Sequence, residues 1–346
     1  MSKINETLEE LCNLLYGGAR GPAIDPGAIP CKETSDEVRL CKSPLVSVRL
    51  ITYNHEPYLR ESIESVLAQK TDFEFELVIG EDCSQDKTRE ICFEYQRKYP
   101  EKIRVLWADE NVRFKGGNAY RTMWHCRGEY VAFLEGDDYW TDPYKLQKQL
   151  DQIRQHDAVA CVACYKVKHQ DGSFHDNVYH GGPFFDGKDL ARFYPHTSTF
   201  VCRAEVTRDY RKRFSEIRGW YDYASLYAMM RYGKIVFLQD IVSCYRITGK
   251  GIASGLTPQE RCVLSVKQGV DLHLHMFGSK GKGTAMVTSM AFFFKRNTRG
   301  WSKDLAEKYR DIFSRAAWGL YSRHPFDLRM IRAFWRFLRF RAGVTF

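Results

Sequence analysis

The chain has 346 residues, 44% hydrophobic and 14% aromatic with only 11 prolines, which excludes a disordered, collagen-like or coiled-coil protein. This length predicts about two domains, or one domain with a large extension. The net charge of +9 is uneven, because residues 260–346 hold 17 basic and 6 acidic residues, a net +11, whereas residues 1–259 sum to −2. A nucleic-acid-binding surface is therefore not needed to explain the charge, and we expect no nucleic-acid partner.

The cysteines and the N-terminus indicate where the protein works. The 11 cysteines are scattered and odd in number, and the first residues, MSKINETLEE, lack the basic-then-apolar profile of a secretory signal. We therefore expect a cytoplasmic protein with free thiols. No run reaches the roughly 18 apolar residues of a membrane-spanning helix, so the protein is expected to lie on a membrane at most, peripherally on its cytoplasmic face.

Three regions differ in texture along the chain. Residues 1–43 combine a short helical pattern with a Gly- and Pro-rich linker. Residues 44–257 alternate strand and helix, which predicts an α/β domain with a mixed, mainly parallel sheet flanked by helices. Residues 258–346 are helical in pattern and form the basic C-terminal extension.

The predicted elements of the α/β domain follow one another without long gaps up to residue 164. In chain order they are strand LVSVRLIT, helix EPYLRESIESVLAQ, strand FELVIG, helix 87–98, strand IRVLW, helix 118–126, strand EYVAFLE, helix PYKLQKQLDQI and strand AVACVAC. The alternation fades between residues 165 and 220. A later segment, ASLYAMMRYGKIVFL, is predicted to be helical throughout.

Acidic side chains follow three of the predicted strands. In open α/β sheets, ligands bind beyond the carboxyl ends of the strands, where helix N-termini favour anions. An anion that faces carboxylates needs a divalent cation between them. Helix capping is the alternative role, and we favour it for Ser84 and Asp142. For Asp82 and the adjacent Asp137 and Asp138 we favour ligand binding, because capping requires only one carboxylate.

Three segments together resemble a known enzyme family. TYNHEPYLRESIESVLAQ, ELVIGEDCSQDKT and GEYVAFLEGDDYWTDPYKLQKQ occur in this order and at strand ends, and the resemblance covers about residues 45–254. They resemble the family-2 glycosyltransferases, inverting enzymes of the GT-A fold that use a nucleotide-sugar donor. The resemblance implies a sugar acceptor that is a glycan or a lipid-linked molecule of cell-surface polysaccharide synthesis.

The resemblance also implies roles for individual residues. Asp138, in the EGDD motif, becomes the ligand of Mn²⁺ or Mg²⁺. The residues implied to contact the donor are Thr52, Tyr53, Glu56, Asp82, Asn111, Asp137, Arg246 and Lys250. Three positions depart from the family pattern. Glu81 and Glu135 each stand where an Asp is frequent, and Thr248 stands where members often carry a His two residues after the Arg.

Inverting transfer needs a carboxylate that takes the proton of the attacking acceptor hydroxyl. By resemblance this base is Asp222, with Trp140, Trp220 and Tyr221 as aromatic residues of the acceptor site. The alternative for Asp222 is an acidic first-turn residue, favoured by the helix dipole. Cys161 and Cys164 are three apart on a strand and have no second pair, so we predict core thiols and no zinc site.

The C-terminal segment 326–341 carries a stripe of arginines beside a wide aromatic face. Such a helix binds an anionic membrane surface or, alternatively, packs on the catalytic domain. The sequence thus predicts a metal-dependent inverting glycosyltransferase that uses a UDP-sugar. A transferase with a soluble or protein acceptor, and a nucleotide-sugar-binding protein without turnover, remain the alternatives.

Overall fold

A computed structural model of the protein describes residues 29–112, 117–186, 189, 193–207 and 222–249. The predicted helix near the N-terminus and the basic C-terminal extension lie outside the described residues. The described part of residues 44–257 forms a mixed, mainly parallel sheet flanked by helices, as the sequence predicts.

The sheet runs in the order β1-β4-β3-β2-β5-β10-β7-β11-β6, with β8 beside β7 and β9 beside β11. Strands β4, β3, β2 and β5 are parallel, and β11 is parallel to β7. The strands are β1 (Lys32–Thr34), β2 (Val46–Thr52), β3 (Phe75–Glu81), β4 (Ile103–Trp107), β5 (Tyr130–Glu135), β6 (Tyr139–Trp140), β7 (Ala160–Lys168), β8 (Phe174–Asn177), β9 (Phe184–Phe185), β10 (Val201–Arg203) and β11 (Ile235–Arg246).

Helices cover both faces of the sheet. They are α1 (Leu59–Leu67), α2 (Thr88–Lys98), α3 (Gly117–Trp124), α4 (Lys145–Gln155) and α5 (Asp222–Tyr232). Apolar residues of α1, α2 and α4 share one core with Val46, Val48 and Leu50 of β2. Residues of α3 and α5 belong to the core on the other face. None of the helices in the described ranges has the length and hydropathy that crossing a bilayer requires.

The sequence pattern explains these elements. In α1, Leu59, Ile63 and Val66 recur at helical spacing and are fully buried, whereas the charged residues between them are exposed. Strand β3 is buried along its whole length, as expected for a central parallel strand with helices on both sides.

One predicted element ends too late, and the prediction for two cysteines agrees with the structure. The predicted helix 224–238 is wrong beyond Tyr232, because Gly233 follows the helix and the β-forming residues after it enter β11. The prediction of core thiols agrees with the structure, since Cys161 and Cys164 are free and buried. They belong to the hydrophobic cores on opposite faces of the sheet.

Lys145 carries a buried amino group whose charge is costly to the fold. Its side chain is fully buried, its Nζ lies 4.3 Å from the Trp140 ring centre, and Nζ has no hydrogen-bond partner among the described residues. Burial lowers the pKa of Lys145 to about 7. An unfolded chain keeps this proton up to about pH 10. The charge therefore destabilises the folded state at neutral pH, and the folded state becomes more stable as the pH rises from about 7 to about 10.

We expect Lys145→Met to raise the free energy of unfolding by about 2 kcal/mol at pH 7, because the methionine needs no desolvation of a charge. The advantage should fall by about half at pH 9. Urea denaturation at both pH values measures it. Lys148→Met is the control, since Lys148 is partly exposed and pairs with Asp142 and Asp240; it should cost up to about 1 kcal/mol. A destabilised Lys145→Met would contradict the prediction.

Candidate functional site

The parallel strands β2, β3 and β5 bring the predicted site residues to one edge of the sheet. Thr52 at the end of β2 is paired with Glu81 of β3, and Ile51 is paired with Glu135 of β5. The loops that follow these strands therefore meet, as expected for an open α/β sheet. Thr52 itself is buried, and Tyr53 begins the first loop.

The first two loops are tied together by hydrogen bonds. Asn54, in a left-handed conformation with φ 53°, accepts a bond from the Gln85 N–H at 2.8 Å. The Glu56 N–H donates to the Asp86 carboxylate at 3.1 Å, and the Glu56 carboxylate accepts from the Lys87 N–H at 3.2 Å. Glu56 thus shapes the loop that the resemblance assigns to the nucleotide, whereas its direct contact with a donor stays a prediction.

Asp82 and Asn111 form a second connection. The Asp82 Oδ1 accepts a hydrogen bond from the Val112 N–H at 2.8 Å, and the Asn111 side chain donates to the Asp82 carbonyl at 2.9 Å. Asp82 is almost completely buried. The structure therefore places both residues together beside the second loop, and their binding of a nucleotide base stays a prediction.

The segment after β5 turns tightly around Gly136. The Gly136 N–H donates to the Ile51 carbonyl at 2.8 Å, which brings this turn against β2. A Cβ at position 136 would lie 2.7 Å from Thr52 Oγ1 and 2.9 Å from His55 Nδ1, so only glycine fits without movement. Beyond it, Asp137 Oδ2 lies 3.8 Å from His55 Nε2.

Asp138 is the buried centre of the site. Only 1% of the residue is exposed, and its Oδ1 accepts the backbone N–H of Arg246 at 2.9 Å. Burial raises the pKa of Asp138 well above its usual range, and the neighbouring carboxylates of Asp137 and Glu135 raise it further. A bound cation would remove this penalty, because it stabilises the ionised form.

His196 completes a group of three ligand-type side chains. Ligand atoms of Glu135, Asp138 and His196 lie within 4.8 Å of one another. The His196 ring stacks on Tyr245 at 4.4 Å between ring centres, and Tyr165 lies 5.5 Å away on centres. Burial lowers the pKa of His196, so its imidazole is neutral at pH 7 and can donate a lone pair.

These residues fit a divalent cation. Two carboxylates and one imidazole suit Mn²⁺, and the carboxylates alone suit Mg²⁺. Among the described residues this is the one such group of three. Sequence reasoning missed His196, because it lies in the irregular stretch between β9 and β10. Its position directly before the buried segment Thr197–Thr199, which contacts β5, is evident only from the fold.

Arg246 holds the turn from the opposite side. Its guanidinium forms an ion pair with Glu61 of α1, donates to the Asp137 carbonyl at 3.2 Å and lies 4.5 Å from the Tyr139 ring centre. The side chain is only 6% exposed. In this structure Arg246 is therefore engaged by protein groups, and its predicted contact with the donor stays a prediction.

Of the residues predicted for the acceptor site, only some lie in the described part of the chain. Trp140 is a core residue, because its ring is buried, packs under Lys145 and donates through Nε1 to the Ser198 carbonyl at 3.0 Å. Stacking on an acceptor sugar does not fit this position, which corrects the prediction for Trp140. Asp222 begins helix α5, as predicted, but its side chain lies outside the described part. The predicted Trp220, Tyr221 and Lys250 lie outside the described residues as well.

Part of the chain is similar in sequence to known glycosyltransferases. The sequence model of the family described as "Glycosyl transferase family 2" matches residues 47–212. TuaG of Bacillus subtilis, described as a putative teichuronic acid biosynthesis glycosyltransferase, is 29% identical over 218 residues, covering 61% of this chain and 82% of TuaG. An uncharacterised protein of Mycobacterium tuberculosis is 32% identical over 214 residues. That match spans 60% of each chain.

Solved structures show the same fold. S. aureus TarS, residues 1–349, superposes with a TM-score of 0.60 and 20% identity, covering 86% of this chain and 87% of that one. Its complex with UDP-GlcNAc gives a TM-score of 0.63 at 19% identity, covering 86% of this chain and 88% of that one. The predicted GT-A architecture of the α/β region is thereby confirmed.

We expect Gly136→Ala to destabilise the protein by about 1–3 kcal/mol, because the new methyl group must displace Thr52 or His55. Gly182→Ala is the matched control, since a Cβ there meets nothing within 4 Å. Urea denaturation of both variants measures the difference. Equal stability of the two variants would contradict the close packing of the turn.

Proposed function

We propose, on the premise that residues 47–212 belong to glycosyl transferase family 2, that this protein is a metal-dependent, inverting glycosyltransferase. The single observation that carries the proposal is the cluster of Glu135, Asp138 and His196 at the carboxyl edge of the sheet, inside the matched region. The donor is a nucleotide-sugar, most simply a UDP-sugar. The acceptor is a hydroxyl group of a glycan or a lipid-linked molecule.

The proposed donor and the proposed pathway are supported by what is known of similar proteins. S. aureus TarS has been solved in complex with UDP-GlcNAc and with UDP, and TuaG is named for teichuronic acid biosynthesis. We extend both properties to this chain as a UDP-sugar donor and a role in cell-surface polysaccharide synthesis. In this proposal the loops that contain Thr52, Tyr53 and Glu56, together with Asp82 and Asn111, bind the nucleotide.

Glu135, Asp138 and His196 would hold the cation, Mn²⁺ or Mg²⁺. When bound, the cation neutralises the diphosphate and stabilises the negative charge that develops on it as it leaves. His196 provides the imidazole that the family pattern places two residues after the arginine, where this chain has Thr248. Asp137 adjoins this group, and we assign it to the ribose and diphosphate side of the donor.

We assign different roles to Arg246 and Lys250. Because the guanidinium of Arg246 is bound by Glu61 and the Asp137 carbonyl, its contribution is to hold the turn 137–138 in place. Lys250 remains the proposed cationic partner of the diphosphate, where a positive charge stabilises the transition state.

Asp222 is the proposed base. It takes the proton of the acceptor hydroxyl while that oxygen attacks the anomeric carbon, and the bond from this carbon to the diphosphate oxygen breaks on the opposite face. Attack opposite the leaving group inverts the anomeric centre. Asp222 is the first residue of α5, and a helix dipole favours an ionised carboxylate at such a position, which supports this assignment.

A lipid-linked acceptor would require the enzyme to work at a membrane, and we propose that it lies on the cytoplasmic face. The basic segment 326–341 would supply the attachment to anionic lipids. This part of the proposal rests on the sequence alone.

We expect Asp138→Asn to abolish the rise in melting temperature that UDP gives with Mn²⁺, because the buried ligand is lost. Sugar transfer should fall by about 100-fold or more. Differential scanning fluorimetry with UDP and nucleotide sugars, with and without Mn²⁺, measures binding. Asp142→Asn is the control, because Asp142 pairs with Lys148 outside the site. Unchanged binding by Asp138→Asn would reject the metal site.

We expect Asp222→Asn to keep the same UDP and Mn²⁺ binding but to lower the transfer rate by about 10²–10⁴-fold, because the amide cannot accept the proton. Release of UDP in the presence of acceptor measures turnover. Rates near those of the wild type would reject Asp222 as the base. A wild-type chain that binds the donor without transfer or hydrolysis would instead be a nucleotide-sugar-binding protein.

A further inference from the structure

Arg49 is a cation buried in the centre of the sheet. It lies in the middle of β2, paired with Val78 of β3 and Phe133 of β5, and only 1% of the residue is exposed. Its guanidinium lies 4.7 Å from the Phe133 ring centre. The neighbours Val48 and Leu50 face the opposite core, so Arg49 stands on the face of the sheet that α3 covers.

This position is unfavourable for folding. The Nε and Nη1 atoms of Arg49 are buried and have no hydrogen-bond partner among the described residues. Desolvating a charged group without full compensation costs several kcal/mol, and an apolar residue of similar volume is often more stable there. Stability of the fold therefore does not account for an arginine at position 49.

Among the described residues, the charged contact of Arg49 is with Glu135, at the proposed cation site. Glu135 lies two residues after Phe133 on the same face of β5, and Arg49 Nη2 donates to Glu135 Oε1 at 2.9 Å. The other carboxylate oxygen, Oε2, accepts the Thr197 hydroxyl at 3.0 Å. Arg49 and Thr197 thus hold the two oxygens of Glu135 from different elements.

Such support matters because this position carries a glutamate. A glutamate has one more rotatable bond than an aspartate, so its carboxylate is less fixed by the backbone. Glu135 also stands close to two other carboxylates, Asp137 and Asp138, which would repel it. A buried positive charge on its far side offsets that repulsion and limits its rotation.

We infer that Arg49 is a positioning residue of the cation site: through its hydrogen bond to Glu135 it holds that carboxylate beside Asp138 and His196. The inference rests on the proposed function, since it concerns a cation at that site. Arg49 does not touch the donor or the reacting atoms and acts only through Glu135. Residues that orient metal ligands in this way typically contribute 10–100-fold to metal affinity.

The test compares the Mn²⁺ affinity and the stability of matched variants. Arg49→Met keeps the volume but removes the charge, and we expect the Kd for Mn²⁺ to rise by about 10–100-fold, while the urea midpoint stays the same or increases. The loss of the free Mn²⁺ signal in electron paramagnetic resonance measures Kd at a fixed UDP concentration, and needs no turnover. Arg49→Lys should restore part of the affinity.

Arg127→Met is the matched control. Arg127 also pairs with a buried glutamate, Glu76, but at the opposite end of β2, where Glu76 also accepts a bond from Ser47. We expect this variant to lose stability and to keep its Mn²⁺ affinity. In a Glu135→Gln background, Arg49→Met should have little further effect, because the group that it positions is already altered.

Unchanged Mn²⁺ affinity in Arg49→Met would overturn the inference. An equal loss in the Glu135→Gln background would overturn it too, since the effect would then not pass through Glu135. A wild-type chain that binds no Mn²⁺ would instead overturn the proposed metal-dependent function, and this inference with it.

Discussion

The site depends on holding three carboxylates together at the end of one strand. Glu135, Asp137 and Asp138 lie within four consecutive positions, and Asp138 is almost without contact with water. Like charges at this distance repel each other, and burial adds to the cost. Two groups stabilise negative charge here: the Arg246 backbone N–H donates to Asp138, and the Arg49 guanidinium donates to Glu135.

These contacts come from distant parts of the chain, which explains the shape of the domain around the site. Strand β2 supplies Arg49, and β11 runs parallel to β7 so that Arg246 reaches the turn after β5. Helix α1 then supplies Glu61 to balance Arg246. Each arginine at this edge thus pairs with a glutamate, Arg49 with Glu135 and Arg246 with Glu61. A divalent cation beside Asp138 would replace electrostatic repulsion by coordination.

Much of this architecture could be predicted from the sequence, because local patterns specify it. Strands β2, β3 and β5 are short apolar runs, and the turns after them carry the polar residues, so Asp138 and its strand end could be recognised from the chain alone. Trp140 could not be placed this way. An aromatic residue beside a motif has the same pattern whether it faces a ligand or the core, and only the packing of Lys145 and Ser198 against it decides.

The imidazole of the site shows most clearly why the rest could not be predicted. A motif assigns a ligand to a place in the sequence, whereas a cation requires only a lone pair at a place in space. Here Thr248 follows β11, but His196 reaches the same edge from the segment before β10, fixed by stacking on Tyr245. Tyr245 lies beside Arg246 on β11, so this strand also packs against the histidine that we propose as the third ligand.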